Sequence, residues 1–164
     1  MKAAGVVLAT ALALALQTTL VGTSAVDFVL VVVVYAALTS GPVTGLLTGT
    51  FAGLVQDVLA NEMIGIGGLA KTIVGFVAGI VGTQFIVAQP LPRFVVFFAA
   101  TIAHAAVFHG LYAALNLRPF NTAYAAIAGQ AVSNALVGVV AFQLVELLPG
   151  AMERRRAQKG RIRR

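Results

Sequence analysis

Residues 45–75, GLLTGTFAGLVQDVLANEMIGIGGLAKTIVG, combine two glycine-rich apolar runs with two full charges. In the first run glycine recurs at every fourth position and the next step of four is Asp57, while Lys71 occupies one step of a similar series in the second run. Residues four apart lie about 40° apart around a helix, so each series forms a stripe along one face. Such stripes let two helices approach closely in lipid. We therefore predict that the following glycines pack one helix against the other: Gly41, Gly45, Gly49, Gly53, Gly67, Gly75 and Gly79.

The two charges of this stretch are expected to lie at the same depth. Asp57 comes about three residues before the end of its predicted helix and Lys71 about four residues after the start of the next, so both lie about 5–6 Å inside the rim. Because an unpaired charge in a bilayer is costly, we predict that the two side chains face each other, or a shared polar group, in a cleft. The alternative is that Lys71 extends to the headgroups while Asp57 caps the turn.

The composition of the whole chain requires lipid as its solvent. Of its 164 residues, 60% are hydrophobic and 10% are charged, and the mean hydropathy is +0.98. A soluble domain has about 45–50% apolar and about 25% charged residues. So much apolar surface cannot be buried inside so small a globule. The chain has no Cys, which excludes a disulfide framework, a thiolate zinc site and a Cys nucleophile.

Six apolar runs approach the roughly 20 residues that a membrane-spanning helix needs. They are 3–22, 25–39, 42–60, 67–88, 94–116 and 120–148. The connections between them are short, which predicts one bundle of antiparallel neighbours. The runs lack the alternation of barrel strands, and a spanning segment must satisfy its own backbone, so even the β-prone FVLVVVVY (28–35) should be helical. We predict an all-α integral membrane protein with six transmembrane helices.

The first run has a second interpretation. A Lys near the start, an apolar stretch and TSA (23–25) are also typical of a secretory signal with a cleavage site. The apolar stretch is longer than a signal core, which favours a retained helix.

The basic residues predict the orientation. With six helices, Lys2, Arg93 and the C-terminal tail fall on one side, and only Arg118 falls in a loop on the other. The basic side should be cytoplasmic, so both termini are predicted to be cytoplasmic.

The tail ERRRAQKGRIRR (153–164) holds seven of the eleven Lys and Arg residues. We divide the chain into a transmembrane domain, 1–150, and a basic cytoplasmic tail, 151–164. The side chains of Arg154, Arg155 and Arg156 either contact acidic lipid or a partner, or serve only to set topology. A nucleic-acid patch is a poorer interpretation of this segment.

The remaining polar residues do not form a catalytic motif. His104 and His109 are five apart, which places them about 140° apart on a helix and predicts hydrogen bonds within the bundle rather than a metal site. Gln130, Ser133 and Asn134 share a face of the last helix, where they either join helices or line a cavity. No phosphate loop, close carboxylate pair or Ser nucleophile motif is present, so we expect neither an enzyme nor a cofactor.

The stretch GPVTGLLTGTFAGLVQDVL (41–59) followed by GIGGLAKTIVGFVAG (65–79) resembles the signature region of the MreD family of rod shape-determining membrane proteins. That family shows a Gly-rich third helix ending in an acidic residue, a short turn with Gly, and a further helix that opens with Gly and Leu. The length and the six-run hydropathy are also similar. The architecture of the family is similar to that of the substrate-binding components of energy-coupling-factor vitamin transporters.

The resemblance implies a function in the bacterial inner membrane. It predicts a non-enzymatic scaffold of the cell-elongation machinery that binds MreC, a single-span protein, and works with the MreB cytoskeleton, RodA and the penicillin-binding partner of RodA. The candidate partner-binding or cleft residues are Asp57, Lys71, Asn61 and Glu62. The alternative function is the substrate-binding component of a small-molecule transporter, for which Arg118 and Asn121 would be further ligand-facing groups.

Overall fold

The computed structural model describes residues 3–19, 25–85, 89–117 and 124–162, with side chains from residue 4 to residue 147. Nearly all of these residues lie in six helices, and no strand occurs among them. The helices are α1 (Ala3–Thr19), α2 (Phe28–Ser40), α3 (Pro42–Leu59), α4 (Ile66–Gln84), α5 (Pro90–Ala114) and α6 (Tyr124–Ile162). The predicted all-α fold class is confirmed for this part of the chain.

Local sequence accounts for where the helices begin. The carboxylate of Asp27 accepts a hydrogen bond from Leu30 N and so caps α2. Pro42 and Pro90 occupy the first turns of α3 and α5. A backbone N–H in the first turn has no hydrogen-bond partner within the helix, so proline is tolerated there. Gly41 joins α2 to α3 at a φ of +90°, a conformation that a residue with a side chain rarely adopts.

The short second helix lies at the centre of the molecule. α2 has 13 residues, about 20 Å of helix, and it packs against each of the other five helices. Four of its side chains, Val29, Leu30, Val33 and Val34, are almost completely buried. A segment surrounded by other helices has no polar face, which explains its uniformly apolar sequence.

The other helices form close pairs beside α2. α3 and α4 make the most extensive contact in the described structure, and α5 packs against α6. Phe97 of α5 is buried against Phe142 of α6 and against the Cα side of Gly138, where a Cβ would lie 2.6 Å from the Phe97 ring. α1 is peripheral and packs, among the described residues, only on α2 and α3.

Three helical segments are long and apolar enough to cross a membrane, by length and composition. They are Ile66–Gln84, Pro90–Ala114 and Tyr124–Leu147. α1 and α2 are apolar but shorter. Large apolar side chains such as Leu8, Phe51 and Leu91 are each 72% exposed, which is the surface expected of helices that face lipid.

The last helix is longer than the apolar run that predicts it. α6 has 39 residues and continues beyond residue 150, so the expected division between bundle and tail does not coincide with a helix end. Arg154, Arg155 and Arg156 lie on this extension, and their side chains are outside the described part of the structure.

Candidate functional site

The two glycine stripes lie at the α3–α4 contact. A Cβ on Gly45 would overlap the carbonyl group of Gly75, and a Cβ on Gly49 would overlap the carbonyl group of Lys71. A Cβ on Gly53 would lie 2.6 Å from the Cα of Gly68. The backbones of α3 and α4 therefore touch along the stripe, which fixes the positions of Asp57 and Lys71 relative to each other.

The two ends of the stripes differ in role. A Cβ on Gly79 would overlap the backbone of Pro42, so this glycine also permits close approach. A Cβ on Gly41 would approach, among the described residues, only Thr83, at 4.0 Å. Glycine is favoured at this position by the turn rather than by close packing. A Cβ on Gly67 would overlap the carboxylate of Asp57, so this glycine makes room for a side chain.

Asp57 caps the neighbouring helix. Its Oδ2 accepts hydrogen bonds from Gly65 N at 2.8 Å and from Gly68 N at 3.2 Å. Gly65 has a φ of +106°, which turns the chain so that the first N–H groups of α4 point at the carboxylate. A carboxylate at a helix N-terminus is favoured both by these donors and by the helix dipole.

Lys71 is paired with a different acid from the one predicted. Its Nζ lies 3.0 Å from Oδ2 of Asp27 and 3.2 Å from Nε2 of His104. Of the arrangements predicted for Asp57 and Lys71, a direct pair is therefore wrong, because the N-terminus of α2 brings Asp27 to Lys71. Asp57 instead caps the start of α4, in line with the alternative interpretation of that residue. Asp57 and Lys71 nonetheless line one cavity.

Asp27 is the functional candidate that the analysis of the sequence missed. It is 5% exposed, and besides Lys71 and Leu30 it contacts α6, since Asp27 N donates to Oδ1 of Asn134 at 2.8 Å. Asn134 Nδ2 in turn donates to Oγ1 of Thr101 at 3.1 Å. These bonds, with those of Lys71, join α2, α4, α5 and α6. An acid directly before an apolar helix is an N-cap signal, and it could have identified Asp27 as a partner for a buried lysine.

A cavity of about 360 Å³ opens at this end of the molecule, where α1, α3 and α5 end and α2, α4 and α6 begin. Its charged lining consists of Asp27, Asp57, Glu62 and Lys71, with His104 and His109 beside them. Glu62 is exposed at the turn between α3 and α4, and Asn61 lies in the same turn with a φ of 52°. Arg118 and Asn121 fall outside the described residues.

The polar lining of the cavity includes both charged and uncharged side chains. Within the described residues no group of three or more His, Asp or Glu side chains could hold a metal ion. Uncharged polar side chains also face the space, namely Gln17, Gln56 and Gln130. The opposite end of the α5–α6 pair has its own ion pair, in which Arg93 Nη1 donates to Oε2 of Glu146 at 3.0 Å.

Comparison with known proteins identifies the family. Comparisons with curated proteins and with solved structures gave no significant match. The family model for rod shape-determining protein MreD matches residues 4–149, which include all of α1 to α5 except Ala3 and the apolar part of α6. This protein therefore belongs to the MreD family of membrane proteins that determine rod shape.

Proposed function

We propose that this protein is a non-enzymatic scaffold of the bacterial cell-elongation machinery. It binds an MreC-like single-span partner in the inner membrane and helps to organise lateral wall synthesis with MreB, RodA and the penicillin-binding partner of RodA. The family match over residues 4–149 carries this proposal. In the proposed arrangement all six helices cross the bilayer and both termini are cytoplasmic, because the basic residues concentrate at that end.

A groove between α1 and α3 is the surface best suited to the partner's helix. It has a volume of about 680 Å³ and is mostly apolar. Thr44 and Val55 mark its ends on α3 and are separated by eleven residues, or about 16 Å of helix. That length matches three turns of a second helix lying along the groove.

The side chains of the groove suit helix packing in lipid. The groove has small side chains at Thr10, Thr44 and Thr48. Leu47 and Phe51 lie beside them and are 60% and 72% exposed. Small residues let a second backbone approach, and the large apolar ones increase its dispersion contacts. In this arrangement the outer turn with Asp57, Asn61 and Glu62, close to Lys71, meets the partner's periplasmic part.

Filling the groove tests this function. Ala11 lines the groove and is exposed, so Ala11→Phe should obstruct a docked helix without disturbing the core. The expected result is at least a fivefold loss of co-purified MreC-like partner in mild detergent, about 1 kcal/mol or more of binding free energy. The matched control is Ala99→Phe, at an exposed position of α5 away from the groove.

The same assay includes deletion of the partner's transmembrane helix. We expect that deletion to abolish co-purification with the unsubstituted protein. Unchanged recovery after both the deletion and Ala11→Phe would contradict the proposed interface, and equal loss with Ala99→Phe would show that the effect does not depend on the groove.

A further inference from the structure

The cavity at the outer end of the helices contains hydrogen-bond acceptors that the protein leaves available. Oε1 of Gln56 is buried and accepts no hydrogen bond from the described part of the chain. Asp57 uses only Oδ2 for the N–H groups of Gly65 and Gly68. Because a buried acceptor without a donor costs free energy, Gln56 Oε1 indicates a place where a further donor belongs.

The ammonium group of Lys71, in contrast, is already engaged. Lys71 Nζ is held between Asp27 and His104, at 3.0 Å and 3.2 Å. Among the described residues, the lining carries three carboxylates, those of Asp27, Asp57 and Glu62, against the one ammonium of Lys71. Their formal charge is −2 with both histidines neutral. Such a space favours a positively charged group and disfavours an anion.

Apolar side chains form another part of the wall. Leu14, Phe108 and Ile127 line it from α1, α5 and α6. Phe108 adds an aromatic ring, which attracts a cation placed over its face. The volume of about 360 Å³ lies at the lower end of the roughly 300–1,000 Å³ found for ligand pockets. The space therefore suits an ammonium group on a short hydrocarbon chain.

We propose that this cavity is a binding site for an organic ammonium group, which donates hydrogen bonds to Gln56 Oε1 and the Asp57 carboxylate while its hydrocarbon chain lies against Phe108. The ammonium is carried either by a free small amine or by a basic side chain of a protein. This site goes beyond the scaffold function and does not depend on it.

The test compares three four-carbon probes that differ mainly in charge. 1,4-Diaminobutane, 1,4-butanediol and succinate are titrated into the full-length protein in lipid nanodiscs, with binding measured by calorimetry. We expect saturable binding of the diamine to one site, with an affinity about tenfold or more above that of the diol and of succinate. Equal affinities for the three probes, or saturable binding of none, would overturn the proposal.

Two variants separate binding from folding. Asp57→Asn removes the charge but retains an acceptor for the start of α4, and Gln56→Leu removes an oxygen that forms no bond within the described structure. Each should weaken diamine binding about tenfold, while Gln56→Leu leaves the unfolding temperature unchanged or raises it. Glu153→Gln, on the extension of α6 at the other end, is the matched control and should not change binding.

A further arm identifies the source of the ammonium. A Gly-Gly-Lys-Gly-Gly peptide is titrated under the same conditions. Tighter binding of the peptide than of the diamine assigns the site to a basic side chain of a protein, and tighter binding of the diamine assigns it to a free amine. If Gln56→Leu and Asp57→Asn bind both probes as well as the unsubstituted protein does, these acceptors do not form the site.

Discussion

At the scale of single residues, Lys71 forms a buried ion pair with Asp27 and not with Asp57. Lys71 and Asp27 have side chains that are 4% and 7% exposed, and their charged atoms lie 3.0 Å apart. Two buried charges stabilise the fold only while both are present, since removing one leaves the other unpaired in an apolar environment. His104 provides a further contact to the lysine at 3.2 Å.

Substituting Lys71 alone should therefore lower the free energy of unfolding much more than substituting both Lys71 and Asp27. Lys71→Met leaves Asp27 buried without its counter-charge and should lower the free energy of unfolding in detergent by about 3–5 kcal/mol. The double variant Asp27→Asn with Lys71→Met should recover most of that loss, because the Asn side chain still caps α2. Asp57→Asn with Lys71→Met is the matched control and should recover none of it. Recovery in the control rather than in the Asp27 double variant would contradict the assigned pair.

The residue scale also shows what sequence can and cannot predict here. The spacing of Gly45, Gly49 and Gly53 is a local property of one helix, and it correctly indicates a face for close packing. The partner of Lys71 depends on which of several acids the assembled helices bring to it. The position of α2 determines which acid pairs with Lys71, and the sequence around residue 71 does not indicate that position.

At the scale of helices, the α3–α4 contact is the most extensive helix contact in the described structure. A Cβ on Gly49 would overlap the backbone carbonyl of Lys71, and the backbone of α4 cannot move without displacing the ion pair that it supports. The start of α3 was predictable from Pro42, and the break between α3 and α4 was predictable from the turn around Gly65. The central position of α2 was not, because a uniformly apolar run is equally compatible with a helix that faces lipid.

Substitution of this glycine tests the close contact directly. Gly49→Ala should lower the free energy of unfolding by about 1–3 kcal/mol, because the two backbones must separate to admit a methyl group. Gly129→Ala in α6 is the matched control, since nothing lies within 4 Å of its Cβ position. The control should raise the stability by about 0.5–1 kcal/mol through better helix propensity. The measurement is chemical unfolding of both variants in the same detergent. A Gly49→Ala variant as stable as Gly129→Ala would contradict the close contact.

At the scale of the whole molecule, the described structure has two chemically different ends. The polar cavity with Asp57 and Lys71 opens where α3 ends and α4 begins. The basic extension of α6 leaves from the opposite end, beyond the Arg93–Glu146 pair. The proposed scaffold requires that these ends lie on opposite sides of a bilayer, with the cavity outside. Three segments have the length and composition to span by themselves, so the arrangement of the whole chain has to be measured.

Site-directed labelling measures this arrangement most directly, because the natural chain contains no Cys. Asn61→Cys places one thiol in the turn beside the cavity, and Gln158→Cys places one on the basic extension of α6. With a membrane-impermeant maleimide and intact spheroplasts, we expect labelling of Asn61→Cys at once and of Gln158→Cys only after lysis. Labelling of both thiols before lysis, or of Gln158→Cys alone, would contradict a protein whose cavity faces outward and whose basic end faces the cytoplasm.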